Sequence, residues 1–91
     1  MTKDRQKVQV NLKKAHSLLA KIIEMIEEDK YCIDIMQQNL AVMGLLKSVH
    51  KEIMETHLNS CFKHAMETAS EKKKQEMIEE ILKVTDLSNR R

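Results

Sequence analysis

The sequence predicts an all-α fold, and three observations support this prediction. The chain has 91 residues with no proline and a single glycine, Gly44, so it offers few places for turns. One phenylalanine, one tyrosine and no tryptophan are a poor set for a β-sheet. Apolar residues recur at steps of three and four, the spacing of a helix face. We therefore expect one domain over residues 1–91, built from three helices of which the second is long.

The first predicted helix covers residues 4–27, approximately. Its main apolar positions are Val8, Leu12, Ala15, Leu19, Ile22 and Ile26. Steps of three and four residues are typical of an amphipathic helix in a bundle. No glycine closes this pattern, and Asp29 is expected to cap the helix that follows.

The second predicted helix covers residues 31–66, and Gly44 is the only residue in it that could weaken a helix. Its apolar positions include Met36, Leu40, Met43, Leu46, Ile53, Met54, Leu58 and Phe62. At 1.5 Å per residue such a helix is about 50 Å long, too long to bury its apolar stripe within one small protomer. We expect it to pack against a helix of another subunit. A shorter third helix, residues 70–85, is expected to start at Thr68 or Ser70.

Positive charge is concentrated near the amino terminus, where residues 1–21 carry six basic side chains and one acidic side chain. A basic face of this kind suits DNA phosphates or an acidic protein, although a solvated helix surface is the alternative. The chain has no apolar run long enough to span a membrane, and its first residues lack the apolar core of a signal peptide. These features predict a cytosolic protein. Its two cysteines are then expected to be reduced thiols, metal ligands or redox groups.

A cysteine and a histidine share one face of the second helix. His57 and Cys61 are four residues apart, so together they could bind one metal ion. Cys32 lies 25 residues before His57, about 37 Å along a continuous helix, and one chain cannot bring the three together. Two antiparallel copies can do so when paired residue numbers sum to about 91, which places their crossing just after Gly44, where close approach is possible. This arrangement predicts two symmetric sites between subunits.

The predicted ligands are soft and few. Two thiolates and one imidazole favour Cu(I), whereas Zn(II) usually takes a fourth ligand. Tyr31 precedes Cys32, and Glu79 and Glu80 on the third helix could supply a carboxylate that orients the imidazole. The alternative is that the two cysteines are ordinary buried thiols and the histidine lies on the surface.

The segments EEDKYCIDIMQQNLAVMGLL and METHLNSCF, with IEEI in the third helix, resemble the copper-sensing operon repressor (CsoR/RcnR-type) family of metal-sensitive transcriptional repressors. The resemblance covers residues 8–84, approximately, and the Tyr-Cys pair, the 25-residue gap and the His-x-x-x-Cys motif make it specific. It implies an all-helical, antiparallel dimer of three-helix protomers that assembles into a homotetramer, a dimer of dimers. Its metal-free form would bind operator DNA. An enzyme is not expected, because a helical bundle offers no cleft with a paired nucleophile and base.

The resemblance also implies roles for single residues. Cu(I) would be held by Cys32 of one subunit and by His57 and Cys61 of the other, and would release the DNA to derepress copper-resistance genes. The tyrosine and glutamate that the family places next to the metal ligands correspond to Tyr31 and Glu80.

Relatives with the same fold sense other signals. Nickel or cobalt sensors carry a histidine near the amino terminus and another in place of the last cysteine, and formaldehyde sensors use an amino-terminal proline. This sequence has neither feature. Persulfide sensors keep both cysteines and generally lack the histidine, so a persulfide-sensing repressor that uses Cys32 and Cys61 is the main alternative. His57 favours copper.

The DNA-binding surface departs from the family pattern. Arginines that the family uses at DNA correspond to Asn11 and Ser48, which leaves open a third possibility, a copper-binding regulatory protein with weakened DNA binding. Four lysines are expected to supply phosphate contacts instead: Lys13, Lys14, Lys21 and Lys47. The family has no helix-turn-helix, so we expect a basic tetramer face to read the shape of DNA.

Overall fold

The computed structural model describes the backbone of residues 2–89 and the side chains of residues 5–87. The all-α prediction is confirmed, with three helices and no strand in this part of the chain. The elements are α1 (Thr2–Glu27), α2 (Cys32–His57), a π-helical turn (Leu58–Phe62), α3 (Lys63–Thr68) and α4 (Glu71–Asn89). Helical residues continue without a break from Cys32 to Thr68, so α2, the π turn and α3 together form the second helix.

A Schellman turn ends α1. Asp29 has a φ of 52°, in the left-handed region. The backbone N–H groups of Lys30 and Asp29 donate to the carbonyl oxygens of Met25 and Ile26, at 3.0 and 3.2 Å. This pair of bonds defines the Schellman motif, whose left-handed position is usually a glycine. Asp29 therefore belongs to the turn that ends α1, and the expectation that it caps α2 is wrong. Aspartate tolerates the left-handed conformation better than most residues.

The chain divides into two compact units, and the first ends at Thr56. In this unit α1 runs antiparallel to α2, because Lys7 near the start of α1 forms a 3.0 Å ion pair with Glu52 near the end of α2. Its buried residues are Ala15, Val42 and Val49. The unit is therefore a helical hairpin with a narrow core.

The least exposed positions of the two helices follow a regular seam. They are Val8, Asn11, Ala15, Leu18, Ile22 and Met25 on α1, and Ile35, Gln38, Val42, Leu45, Val49, Glu52 and Thr56 on α2. Met54 and His57 are also half-buried and lie outside this pattern. Steps of three and four residues on both helices are the pattern of coiled-coil contacts. The stripe predicted for α1 is thus divided: Leu12, Leu19 and Ile26 are exposed, whereas Val8, Ala15 and Ile22 lie in the seam.

On α2 the apolar positions chosen from the sequence are mostly those that face away from α1. Met36, Leu40 and Met43 are 59%, 64% and 56% exposed. We call these three residues, together with Gly44, the outer face of α2. The residues that pack inward were not singled out by the sequence pattern, since the helix carries two apolar stripes and periodicity does not say which one meets α1.

The second unit begins at His57 and contains α3 and α4, which contact each other. Of the two predicted starts for the last helix, Ser70 is the cap: its Oγ accepts a bond from the Lys73 N–H at 3.3 Å. The Thr68 hydroxyl instead donates to the His64 carbonyl oxygen at 2.8 Å. Within residues 2–89, none of the helices has the length and apolar character needed to cross a bilayer.

Candidate metal site

Cys32 lies at the amino-terminal end of α2. It is the first residue of that helix, directly after the Schellman turn and Tyr31, and its side chain is exposed. Tyr31 is itself 66% exposed, and its carbonyl oxygen accepts a hydrogen bond from the Ile35 N–H at 3.2 Å. The thiol is therefore held by the first turn of a regular helix and is open to a ligand or a partner.

His57 and Cys61 lie at the other end of α2. His57 is the last residue of α2, half-buried, and Cys61 is an exposed residue of the π turn. A π-helical turn bonds residue i to i+5 and usually occurs as a single turn within an α-helix, often at a functional site. Its presence here means that spacing rules for a regular α-helix do not fully describe this end.

Two side-chain contacts support these groups. The rings of His57 and Phe62 have centroids 6.4 Å apart and planes inclined by 50°. The Ser60 hydroxyl donates to the Cys61 sulfur at 3.8 Å. Both contacts link a predicted ligand to a neighbour in the π turn.

The structure does not bring the three predicted ligands together within one chain. Cys32 and His57 are the two ends of a 26-residue α-helix, about 37 Å apart at 1.5 Å per residue. In the described part of the chain, no group of three or more His, Cys, Asp or Glu side chains is arranged to hold a metal ion. The described thiols are nevertheless free and exposed, so the alternative of ordinary buried thiols does not describe the protomer. Two accessible sulfur donors and one imidazole fit the chemistry of Cu(I).

The predicted neighbours of the ligands lie on separate elements. Glu80 is an exposed residue of α4, one position after Glu79, whose carboxylate accepts a hydrogen bond from Gln75 at 3.5 Å. Tyr31 belongs to the first compact unit and Glu80 to the second.

The predicted DNA-contacting lysines are all exposed. Lys13 and Lys14 line an open groove together with Val10, Ser17, Leu18 and Leu45. Lys21 follows on α1, and Lys47 lies on α2. Ser48 is exposed, whereas Asn11 is half-buried in the seam between α1 and α2.

Phe62 and Ser60 are the two residues that sequence reasoning missed at this site. Phe62 was assigned to the apolar stripe, and Ser60 was given no role. The signal available in the sequence was that the only phenylalanine stands five residues after a candidate ligand. In a π turn, hydrogen bonds join residues five apart, but no sequence pattern predicts such a turn here.

Comparison with known proteins gives consistent matches. Residues 4–86 match the family described as "Metal-sensitive transcriptional repressor". The chain is 38% identical over 64 residues to the copper-sensing transcriptional repressor CsoR of Mycobacterium ulcerans, covering 69% of this chain and 55% of that protein. It is 35% identical over 65 residues to the copper-sensing transcriptional repressor RicR of Mycobacterium tuberculosis, covering 71% and 68%. The copper-sensing transcriptional repressor CsoR of Bacillus subtilis is 30% identical over 67 residues, covering 74% and 66%.

The alignments leave part of these relatives unmatched. The chain spans little more than half of the Mycobacterium ulcerans protein and about two thirds of the other two.

Proposed function

Because the chain belongs to the family of metal-sensitive transcriptional repressors, we propose that it is a cytosolic Cu(I)-responsive repressor. Its metal-free form binds operator DNA, and Cu(I) binding releases the DNA and derepresses copper-resistance genes. The observation that carries this proposal is the donor set of the second helix. One exposed thiol opens α2, and an imidazole and a second exposed thiol stand at its other end.

The choice of copper follows from donor chemistry. Thiolates are soft ligands that select Cu(I), and a set of two sulfurs and one nitrogen suits its low coordination number. Structural Zn(II) sites usually take four protein ligands, one more than this set supplies. The copper-sensing function named for the relatives supports the same choice.

The site requires two copies of the chain. Cys32 of one subunit and His57 and Cys61 of the partner subunit meet when two α2 helices pack antiparallel and cross just after Gly44. Each dimer then has two equivalent sites related by a two-fold axis. Dimers pair further into a tetramer that presents the basic surface to DNA.

The outer face of α2 supports a second copy as the occupant. Its large apolar side chains are more than half exposed in the protomer, while the core of the hairpin contains few buried residues. A Cβ atom built on Gly44 meets no atom within 4 Å, so the surface at the proposed crossing is open. Exposed apolar area of this extent on a small domain is typical of a subunit interface.

Two residues are proposed to neighbour the metal ligands, and four lysines are proposed to form the DNA-binding surface. Tyr31 and Glu80 lie next to the ligands in the assembled dimer and orient them by hydrogen bonding, as outer groups of metal sites do. Lys13, Lys14, Lys21 and Lys47 contact DNA phosphates. Lysine acts there as a point charge, so these contacts supply affinity more than sequence recognition.

Regulation requires a difference in affinity. Cu(I) lowers DNA affinity only if it binds the DNA-free state more tightly than the DNA-bound state. By thermodynamic linkage, operator DNA must weaken Cu(I) binding by the same factor. Measuring Cu(I) affinity with and without DNA therefore gives an independent value for the coupling.

Mixing two inactive variants tests the intersubunit site. Neither Cys32→Ser nor Cys61→Ser should bind Cu(I) tightly by itself. If an equimolar mixture is unfolded and refolded, half the dimers are mixed and each regains one intact site, so about a quarter of the parent's binding capacity returns. Titration against a competing Cu(I) chelator measures this capacity. No recovery in a mixture shown to contain mixed dimers would contradict the shared site.

Fluorescence anisotropy tests the DNA half of the proposal, with a labelled fragment from upstream of the gene. Metal-free protein should bind with a steep salt dependence, and Cu(I) should release it. Cys61→Ser is the matched control, which should bind DNA equally well but remain bound when Cu(I) is added. A parent protein that binds Cu(I) but not this DNA would instead support a copper-binding regulatory protein.

The exposure of both thiols favours one second candidate, a persulfide-sensing repressor. The Cys32 and Cys61 thiolates of facing subunits would each take the outer sulfur of a small persulfide, which leaves as a thiol. The two protein persulfides would then condense to a trisulfide bridge and release hydrogen sulfide. In that case His57→Ala should retain the full response to persulfide, and mass spectrometry should detect a crosslink between the two cysteines. A Cu(I) response that requires His57, with no crosslink, supports the copper sensor.

A further inference from the structure

The π turn Leu58–Phe62 changes which side chains share a face with His57. On an α-helix each residue advances by about 100°, so residues i and i+5 lie about 140° apart. A π turn takes up nearly one residue more, which brings residue 62 back over residue 57. The His57 and Phe62 ring centroids are accordingly 6.4 Å apart, within the range of favourable ring contacts. On a regular α-helix the two side chains would point in directions about 140° apart, which disfavours this contact.

The same turn affects His64 in the opposite way. On a continuous α-helix, the steps of four and three residues from His57 to Cys61 and on to His64 would place three metal donors on one face. The wider π turn rotates His64 away from His57 by roughly a quarter turn, whereas Cys61 stays close to the His57 direction. Only one nitrogen and one sulfur donor of this segment then share a face.

We infer that the π turn is a positioning element of the metal site. It seats Phe62 against the His57 imidazole, and it keeps His64 out of the ligand set. This inference rests on the proposed function, since it concerns the same site. The ring contact restricts the imidazole before a metal arrives, so less conformational freedom is lost on binding. Phe62 is a positioning residue and touches no metal.

The contact itself can be tested without copper. In the metal-free protein, the Phe62 ring should displace the NMR signals of the His57 ring protons. Phe62→Leu keeps the apolar volume and removes the ring, so those signals should move to their unperturbed positions. Leu58→Ala changes another residue of the same turn and should leave them in place. His57 signals that do not respond to Phe62→Leu would overturn the inference.

The consequence for binding is measured by Cu(I) competition. Phe62→Leu should weaken Cu(I) binding by about 10-fold, the lower end of the range for groups that orient metal ligands. Phe62→Tyr keeps the ring and should restore the parent affinity. In a His57→Ala background, Phe62→Leu should cause no further loss, because Phe62 acts through His57. An equal loss in both backgrounds would show a merely structural role and overturn the inference.

His64→Ala tests the second part. Cu(I) affinity should stay within about twofold of the parent, because His64 is not a ligand, whereas loss of a ligand costs far more than the roughly 10-fold expected for Phe62→Leu. A large loss would overturn the exclusion of His64. Failure of the parent to bind Cu(I) would overturn the proposed function, whereas intact parent binding with no effect of Phe62→Leu would overturn the positioning role alone.

Discussion

The two ends of α2 carry the same chemical group in different backbone settings. Cys32 follows a Schellman turn and opens a regular α-helix. Cys61 lies in a π turn, with the Ser60 hydroxyl 3.8 Å from its sulfur. Both thiols are exposed. The two ends differ in the side-chain contacts of the predicted ligands: Cys61 contacts Ser60 and His57 contacts Phe62.

In the proposed dimer, this difference divides one metal site between a simple end and an elaborate end. The Cys32 end needs only a helix that starts at the right residue. In the same proposal the other end must fix an imidazole and a thiol together, and there the π turn Leu58–Phe62 departs from α-helical geometry. Removing a predicted ligand should therefore have the same effect at either end. Substituting a residue that contacts a ligand within the protomer should change Cu(I) affinity only at the end that contains His57 and Cys61.

The largest expected effect removes a ligand, and it should be equal at the two ends. Cys32→Ser and Cys61→Ser should each weaken Cu(I) binding by more than about 100-fold, since losing groups that only orient ligands already costs about 10–100-fold. Competition with a Cu(I) chelator measures the affinities. His50→Ala removes an exposed histidine from the same helix and should have no effect. Retention of the parent affinity by either serine variant would contradict a site that uses both ends.

The next effect tests whether the two ends meet across a crossing midway between them. Gly44→Ala and Gly44→Leu should both stabilise the protomer, because both raise helix propensity and a Cβ atom at this position meets no atom within 4 Å. At a close crossing the larger side chain should weaken the dimer by about 1–3 kcal/mol. Sedimentation at several concentrations measures dimerisation.

The parent, Gly44→Ala and Gly44→Leu form a series of increasing side-chain size, which serves as the control for that prediction. Dimerisation should fall from glycine to alanine to leucine, and Cu(I) binding at both sites should fall with it. If Gly44→Leu dimerises like the parent, the helices do not cross closely at this residue.

The general architecture could be predicted because it depends on composition and periodicity. A chain without proline, with apolar residues at steps of three and four, has few alternatives to helices. The start of α4 was limited to Thr68 or Ser70 by capping chemistry, and Ser70 Oγ is the oxygen that meets a free N–H group. Periodicity could not decide whether Val42 or Leu40 faces α1, because both stripes have the same period.

The rest depends on backbone conformations that side-chain patterns do not encode. Asp29 is a good residue both for a helix N-cap and for a left-handed turn, so its identity fits either role. The spacing of His57 and Cys61 is compatible with both an α-helix and a π turn. Only the structure shows that the Phe62 ring lies next to the His57 ring.

A smaller effect is expected at the cap that follows the Cys61 end. Ser70→Ala removes the oxygen that accepts the Lys73 N–H bond and should lower the free energy of unfolding by about 1 kcal/mol. Thr68→Ala is the matched control, since that hydroxyl bonds back to a carbonyl and caps no helix. Urea denaturation measures both. A larger loss of stability in Thr68→Ala than in Ser70→Ala would contradict the assignment of Ser70 as the cap of α4.

The smallest effect concerns the turn before Cys32. There the sign of the change in the free energy of unfolding distinguishes the two roles of Asp29. Asp29→Gly should raise the free energy of unfolding by about 0.5 kcal/mol, because glycine adopts a positive φ without the steric cost that aspartate bears. An N-cap role for Asp29 would give the opposite sign, a loss of a few tenths of a kcal/mol. Asp29→Ala lacks both the tolerance for positive φ and a capping oxygen, so it should be destabilising in either case and calibrates the urea measurement. Cu(I) affinity should stay unchanged in Asp29→Gly, because the turn sets where α2 begins and the new residue leaves that start at Cys32.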